Sequence, residues 1–187
     1  MALQVLTRLA ARTGQTRLRE RADTLVVGLS SLLARRGGGT AAILSGLAEH
    51  LDGETGPVRI AARGKVRLRA GPDPDAADRV RIVAELSEGW HLNSDKPLQD
   101  YLIPTRLSDA QGDALAEPIF PEAKVRTLAF QRQALSLYEG RVILSAELPE
   151  ADGVGSTAIV QVELQACDDR VCLAPETVRF QVPIASP

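Results

Sequence analysis

The hydrophobic period of this 187-residue chain changes once, near residue 56. Before Gly56, apolar residues recur every three or four positions, which indicates amphipathic helices. After Pro57, apolar and polar residues alternate, which indicates half-buried strands. The sequence therefore predicts two parts, a helical segment over residues 1–56 and a β-rich domain over residues 57–187.

Three helices are predicted in the first part. The first two apolar stripes end at Gly14 and at the glycine run 37–39, as is typical of helix C-termini. The apolar residues of the third helix are expected to be buried; they are Ile43, Leu44, Leu47 and Leu51. Three short helices form a thin core, so this segment is expected to pack on a missing neighbour or on a second copy of the chain, as a homo-oligomer.

The second part contains alternating segments separated by turn signals. The clearest segments are 66–69, 80–86, 142–148, 158–164 and 178–184. Turn residues at 71–75 and at Glu139-Gly140 lie between them. About seven short strands with polar outer faces predict an antiparallel β-sandwich.

Composition and charge exclude several classes of protein. The chain is 44% apolar and 25% charged with a net charge of −2, as in ordinary globular proteins. It has no basic face with interleaved aromatic residues, so nucleic acid is not an expected partner. No apolar run approaches the roughly 18 residues that span a bilayer, so no membrane span is predicted.

The first residues, 1–8, lack the basic start, continuous apolar centre and cleavage site of a signal peptide. A helical pattern follows Met1 at once without a capping residue, which indicates a chain cut from a longer protein. The cellular compartment is therefore not predicted from this end.

The only two cysteines, Cys167 and Cys172, flank a short polar segment that predicts the tip of a hairpin. They are a candidate reversible dithiol, and the alternative is a structural disulfide. So short a loop would contribute only about 2 kcal/mol to stability, which favours the redox interpretation. With two distant histidines, His50 and His91, the cysteines do not form a four-ligand zinc site, and neither a metal nor a cofactor is predicted.

The residues between the cysteines carry opposing charges. Asp168 and Asp169 disfavour a thiolate, whereas Arg170 favours one. A couple flanked by acids is more naturally a passive electron acceptor than a strong nucleophile, which we state as a hypothesis. Phosphate loops, nucleophile elbows and paired acid–base carboxylates are missing from the sequence, so thiol:disulfide exchange is the one enzymatic activity it suggests.

Three motifs, at 88–93, 102–105 and 167–175, together resemble the N-terminal domain of the bacterial thiol:disulfide interchange protein DsbD. The resemblance covers about residues 60–185. It implies an immunoglobulin-like sandwich in which Cys167 and Cys172 form the active couple. A thioredoxin-like partner would attack one sulfur and the second cysteine would resolve the mixed disulfide. It also implies a periplasmic or other extracytoplasmic compartment.

The same resemblance implies a cap loop whose aromatic residue covers the cysteines, and Phe130 is the best candidate. Trp90, His91 and Asn93 occupy positions where well-studied members have tyrosines beside the couple. A histidine at such a position more often faces solvent or bonds a loop carbonyl, and this is the first interpretation of His91. The alternative is that His91 is a proton acceptor near the couple, because the unperturbed pKa of histidine lies close to neutrality. Phe130 and Tyr138 are equally well interpreted as core aromatics.

Residues 6–14 and the helix that follows resemble the last helices of YyaL-type thioredoxin-domain proteins. Those proteins contain a long helical toroid. The resemblance implies a parent protein in which the end of such a toroid precedes the sandwich.

The sequence thus predicts an immunoglobulin-like antiparallel β-sandwich preceded by a three-helix segment. The predicted function is thiol:disulfide exchange, with electrons passing through Cys167 and Cys172 to or from a thioredoxin-like partner. The alternative is a non-catalytic interaction domain with a structural disulfide.

Overall fold

The computed structural model of the protein describes residues 2–13, 15–35, 41–52, 56–128, 133–149 and 157–184. The chain divides into two compact units, residues 1–55 and 56–187. The first unit consists of the helices α1 (Ala2–Thr13), α2 (Thr16–Arg35) and α3 (Ala41–Asp52). None of these helices, over its described residues, is long and apolar enough to cross a membrane.

Polar side chains join the three helices. Arg8 of α1 binds Glu49 of α3, with Nε 2.5 Å from Oε1 and Nη2 3.2 Å from Oε2. His50 lies 3.2 Å from the Thr7 hydroxyl through Nδ1 and 2.8 Å from an Asp23 carboxylate oxygen through Nε2. Because Thr7 is on α1 and Asp23 is on α2, His50 connects α3 to both neighbours.

The burial predicted for the third helix is wrong at two positions. Leu44 and Leu51 are 52% and 71% exposed. Glu49 and His50 are buried instead, and with Gly46 they form an i, i+3, i+4 stripe on α3. A helix can turn only one stripe inward, and here the ion pair and the histidine contacts determine which one.

The strands of the second unit pair in the antiparallel sense throughout its described residues. In chain order they are β1 (Val58–Ala61), β2 (Val66–Asp73), β3 (Ala76–Leu86), β4 (His91–Asn93), β5 (Arg106–Ser108), β6 (Lys124–Thr127), β7 (Ala134–Glu139), β8 (Arg141–Glu147), β9 (Thr157–Leu164), β10 (Ala166–Cys167) and β11 (Glu176–Pro183). They form sheets ordered β1-β2-β3-β8, β10-β4-β7-β6 and β11-β9-β5. The predicted immunoglobulin-like β-sandwich preceded by helices is confirmed.

One hydrophobic core receives side chains from all three sheets. Val66 and Leu68 of β2 point into it, while the arginines between and after them face outward. Phe180 of β11 is the largest fully buried side chain, and the Arg59 guanidinium lies 5.2 Å from its ring centroid. The alternation seen in the sequence is therefore the alternation between core and solvent.

Gly140 lets the chain change sheets between β7 and β8. Its φ is +69°, a conformation that glycine adopts without steric strain. As a result β7 pairs with β4 and β6, whereas β8 pairs with β3. This change of sheet places Glu139, the last residue of β7, opposite His91 of β4.

The core at Phe180 leads to a prediction on stability. Phe180→Ala should lower the free energy of unfolding of the second unit by about 3–5 kcal/mol, because it removes a buried ring and leaves a cavity. The fluorescence of Trp90, the one tryptophan of the chain, reports unfolding in urea because this residue packs against the core. Val125→Ala, at an exposed position of β6, is the control and should change stability by less than about 0.5 kcal/mol. Equal effects of the two substitutions would contradict the assigned core.

Candidate functional site

Both cysteines lie on an excursion from a long hairpin. Strands β9 and β11 pair along their whole length, from Leu164 opposite Glu176 to Thr157 opposite Pro183. The residues between them, 165–175, leave that sheet. Within this excursion β10 pairs with β4 of another sheet, and Cys167 lies directly opposite His91. The predicted hairpin tip is therefore a small hairpin of its own, attached to a second sheet.

The cysteines form a disulfide whose two ends differ in exposure. The sulfurs of Cys167 and Cys172 are 2.02 Å apart and their Cα atoms 4.0 Å apart. The two residues also face each other as an antiparallel bridge. Cys167 is only 2% exposed, whereas Cys172 is exposed. A protein partner can therefore approach the bond from the Cys172 side.

Asp168 holds the turn between the cysteines. Its Oδ1 accepts hydrogen bonds from the backbone N–H groups of Arg170 and Val171, both at 2.8 Å. Its own N–H donates to the Val171 carbonyl at 2.9 Å. These two backbone donors are the main reason that the pKa of Asp168 lies below its ordinary value. Sequence reasoning treated Asp168 only as a charge, although aspartate at the start of a tight turn is a known signal for this bonding.

The strand register extends the site across the sheet. Cys172 faces Cys167, Cys167 faces His91, and His91 faces Glu139. Residues directly opposite each other in an antiparallel pair project from the same face of the sheet. We call these four residues the register row. In this row the titratable side chain of His91 is the cross-strand neighbour of the disulfide.

His91 is buried, with 3% of its surface exposed. The interpretation that it faces solvent is therefore wrong. Burial lowers its pKa below the ordinary value, and the carboxylates of Glu139, Asp169 and Asp168 act in the opposite direction. The lowered pKa favours a neutral imidazole beside the disulfide at neutral pH. Its role as a proton acceptor stays a prediction.

Glu139, at the far end of the register row, was not predicted as a site residue. Its Oε2 accepts a hydrogen bond from Lys124 Nζ at 3.3 Å and forms an ion pair with Arg126 Nε at 3.2 Å, and both cations are on β6. These cations hold the carboxylate next to His91. No sequence pattern indicates this contact, because it depends on the pairing of β4 with β7.

Asn93 connects the face of the register row to the segment that follows β4. It lies two positions after His91 and therefore on the same face. Its side chain is buried and donates from Nδ2 to the Ile103 carbonyl at 2.9 Å. Thr105 Oγ1 in turn donates to the Asn93 carbonyl at 2.7 Å. The segment around Ile103 thus covers part of this face, a contribution that sequence reasoning missed.

The aromatic candidates fall in different places. Trp90 packs against the sandwich core, with Lys65 Nζ 5.5 Å from its ring centroid. Tyr138 is also in the core, and its hydroxyl donates to Asp95 Oδ1 at 2.5 Å. The interpretation of Tyr138 as a core aromatic is confirmed. Phe130 lies outside the described residues, so its role as a cap stays a prediction, as does a site-lining role for Trp90.

Within the described ranges, no three histidine, cysteine or acidic side chains are grouped so that they could hold a metal ion.

Comparison with known proteins points to one family. The family described as "Thiol:disulfide interchange protein DsbD, N-terminal" matches residues 60–184, well over half of the chain. No curated protein matches the chain. The resemblance of the helices to YyaL-type proteins has no support from these comparisons and stays a prediction.

Several solved structures are similar at low identity. The Neisseria meningitidis DsbD N-terminal domain in its reduced form is 18% identical, with a TM-score of 0.42 over 58% of this chain and 78% of that one. The complex of DsbD and PilB N-terminal domains from the same organism gives 18% identity and a TM-score of 0.41, over 60% of this chain and 77% of the other. The N-terminal periplasmic domain of ScsB from Proteus mirabilis is 17% identical, with a TM-score of 0.41 over 64% of this chain and 48% of that one.

The Asp168 turn leads to a prediction on pH. The carboxylate stabilises the turn above its unfolded pKa, and this contribution is lost as the pH falls through its lowered folded pKa. The amide proton resonances of Arg170 and Val171 should therefore shift together with a midpoint below 3.8, the ordinary value. Two-dimensional NMR across an acid titration measures this.

Asp168→Asn is the matched control for this titration. Its amide oxygen can still accept both hydrogen bonds but does not titrate. Both amide resonances should therefore keep the chemical shifts of the hydrogen-bonded turn at every pH. A midpoint at or above the ordinary carboxyl value in the unsubstituted protein would contradict the assigned turn.

Proposed function

Since this chain belongs to the family of N-terminal domains of the thiol:disulfide interchange protein DsbD, we propose that it passes electrons between its Cys167–Cys172 couple and a thioredoxin-like partner. The family and the disulfide-bonded pair fit thiol:disulfide exchange. The observation that carries the proposal is the difference between the two ends of the bond, since Cys172 is exposed and Cys167 is buried.

Access favours Cys172 as the sulfur that the partner attacks. A thiolate of the partner forms a bond with Cys172 Sγ, the bond to Cys167 breaks, and the electron pair leaves on Cys167 Sγ. The second thiolate of the partner then attacks the partner sulfur that is bonded to Cys172, and Cys172 leaves as a thiolate. Two electrons have moved to this domain and the partner is left as a disulfide. The reverse sequence returns them.

A structural disulfide is the alternative, and two observations weigh against it. The loop it closes is short, so its contribution to stability is only about 2 kcal/mol. Hydrogen bonds already hold the excursion, including Leu173 N–H to the Ala166 carbonyl at 2.9 Å and Gln165 Nε2 to the Leu173 carbonyl at 3.0 Å. The turn therefore does not depend on the covalent bond for its shape.

The compartment and the partner follow from the same proposal. A persistent disulfide suits an oxidising compartment, and we propose the periplasm. The ScsB domain is described as periplasmic, and the Neisseria DsbD domain is seen in complex with the PilB N-terminal domain. For this chain we propose a protein partner with a Cys-x-x-Cys couple. A homo-oligomer through the helices, and their origin in a larger toroid, stay predictions.

Trapping tests which cysteine meets the partner. Cys167→Ser leaves Cys172 as the one thiol of the domain. After this thiol has been converted to a mixed disulfide with thionitrobenzoate, the variant should accumulate a mixed disulfide with a reduced thioredoxin whose resolving cysteine has been replaced by serine, with thionitrobenzoate as the leaving group. Cys172→Ser leaves only the buried Cys167 and should accumulate much less, on the order of one tenth, because access limits exchange. Non-reducing gels with mass spectrometry measure both adducts, and the double variant is the control. If neither single variant forms an adduct, the exchange function is wrong.

The reduction potential separates a working couple from an inert bridge. We expect a value above about −300 mV, because structural disulfides in secreted proteins have potentials below this value. The fraction reduced is measured by maleimide gel shifts after equilibration in thiol–disulfide buffers of known potential. A potential well below this limit would support the structural alternative.

A further inference from the structure

We propose that His91 is the proton acceptor of the couple, and that its imidazole takes the proton of Cys167 Sγ in the reduced domain. The inference rests on the proposed exchange function and adds a residue to it. Cys167 would then be available as a thiolate for the step that resolves the mixed disulfide.

The strand register places Cys167 next to His91. Cys167 of β10 and His91 of β4 are a directly opposed pair. Such pairs have Cβ atoms about 4.5–5.5 Å apart and project from the same face. The pairing of Ala166 with Leu92 fixes this register, because a slip of one residue would turn Cys167 to the other face.

Cys167 and His91 are both buried and almost inaccessible to water. Burial disfavours an isolated thiolate, yet exchange at Cys172 requires the electron pair to leave on Cys167. An adjacent imidazole that accepts a proton removes this difficulty, because a thiolate–imidazolium pair needs much less solvation than a bare thiolate.

Carboxylates around His91 favour its protonation. Glu139 of β7 lies opposite it, and Asp168 and Asp169 of the cysteine turn lie on its other side. All three carboxylates favour the protonated imidazole. Lys124 and Arg126 of β6 bind Glu139 and weaken its effect. On the segment that follows β4, Asp95 accepts a hydrogen bond from the core residue Tyr138.

The oxidation state decides the proton's position. In the oxidised domain burial lowers the pKa of His91, so the imidazole is neutral and can accept a proton. A negative charge on Cys167 adds a fourth anion beside the ring and favours its protonation. Reduction of the disulfide is therefore coupled to proton uptake at His91.

The reduced domain donates electrons in two exchange steps. The Cys172 thiolate attacks the disulfide of the partner and forms a mixed disulfide. Cys167, whose proton is already on His91, then attacks Cys172 Sγ as a thiolate. The sulfur of the partner leaves with the electron pair. The proton on His91 then passes to that sulfur or to solvent, so the partner gains two electrons and the domain regains its disulfide.

The first test isolates Cys167. In the Cys172→Ser background, thiolate absorbance reports the titration of Cys167 alone, and His91→Asn should raise its midpoint by about one pH unit, a tenfold smaller thiolate fraction at neutral pH. The matched control is His91→Asn in the Cys167→Ser background, where the midpoint of the exposed Cys172 should stay unchanged. Equal shifts at both cysteines, or a shift at neither, would overturn the proposal.

The second test leaves the site unaltered. The chain contains two histidines, and the imidazole resonance that remains in His50→Asn, a substitution on α3 of the first unit, assigns His91 by NMR. In the unsubstituted protein its titration midpoint should be higher in the reduced than in the oxidised state. A midpoint that is the same in both states would overturn the proposal even if His91→Asn folds poorly.

The outcomes separate this inference from the exchange function. If His91 does not respond but Cys172 still traps a partner and the potential is that of a working couple, only the proton acceptor is wrong. If trapping fails and the potential is that of an inert bridge, the exchange function itself is wrong.

Discussion

The pairing of the two-residue strand β10 with β4 is the interaction on which the site depends. It draws residues 165–175 out of the hairpin of β9 and β11 and onto a second sheet. Without it, Cys167 would lie on a free loop with no histidine opposite. Two residue pairs are enough because the excursion is anchored at both ends by a hairpin that is paired along its whole length.

The longest strands could be predicted from the sequence, whereas the site could be predicted only in part. Strands β3 and β9 are eight or more residues long and alternate over most of that length, so their period is clear. Strands of two to four residues, including β4 and β10, show too few alternations to be detected. The register that joins Cys167 to His91 links distant parts of the chain, so only a resemblance to a family could suggest their proximity. Phe130 stays untested because it lies outside the described residues.

Polar residues decide the packing in both units where hydrophobicity alone would mislead. In the helical unit, Glu49 and His50 are buried, whereas Leu44 and Leu51, which were expected to be buried, are exposed. In the sandwich, His91 and Asn93 are buried on the face of β4 that does not fill the main core. Glu49, His50 and Asn93 each have a hydrogen-bond partner, which compensates for their removal from water. In the strand register, His91 lies between the disulfide and the carboxylate of Glu139.

The position of β10 also affects association between sheets. In the described part of the chain β10 is an outer strand of its sheet, and such edges can recruit further strands through their free N–H and C=O groups. Here the edge is two residues long and ends in a tight turn that carries Asp168, Asp169 and Arg170. A redox partner that meets Cys172 therefore finds sulfur and charged side chains rather than an open ladder. Because β10 has only two residues, it is hard to detect in the sequence. For the same reason it offers little edge for edge-to-edge aggregation, and the disulfide stays accessible to a partner.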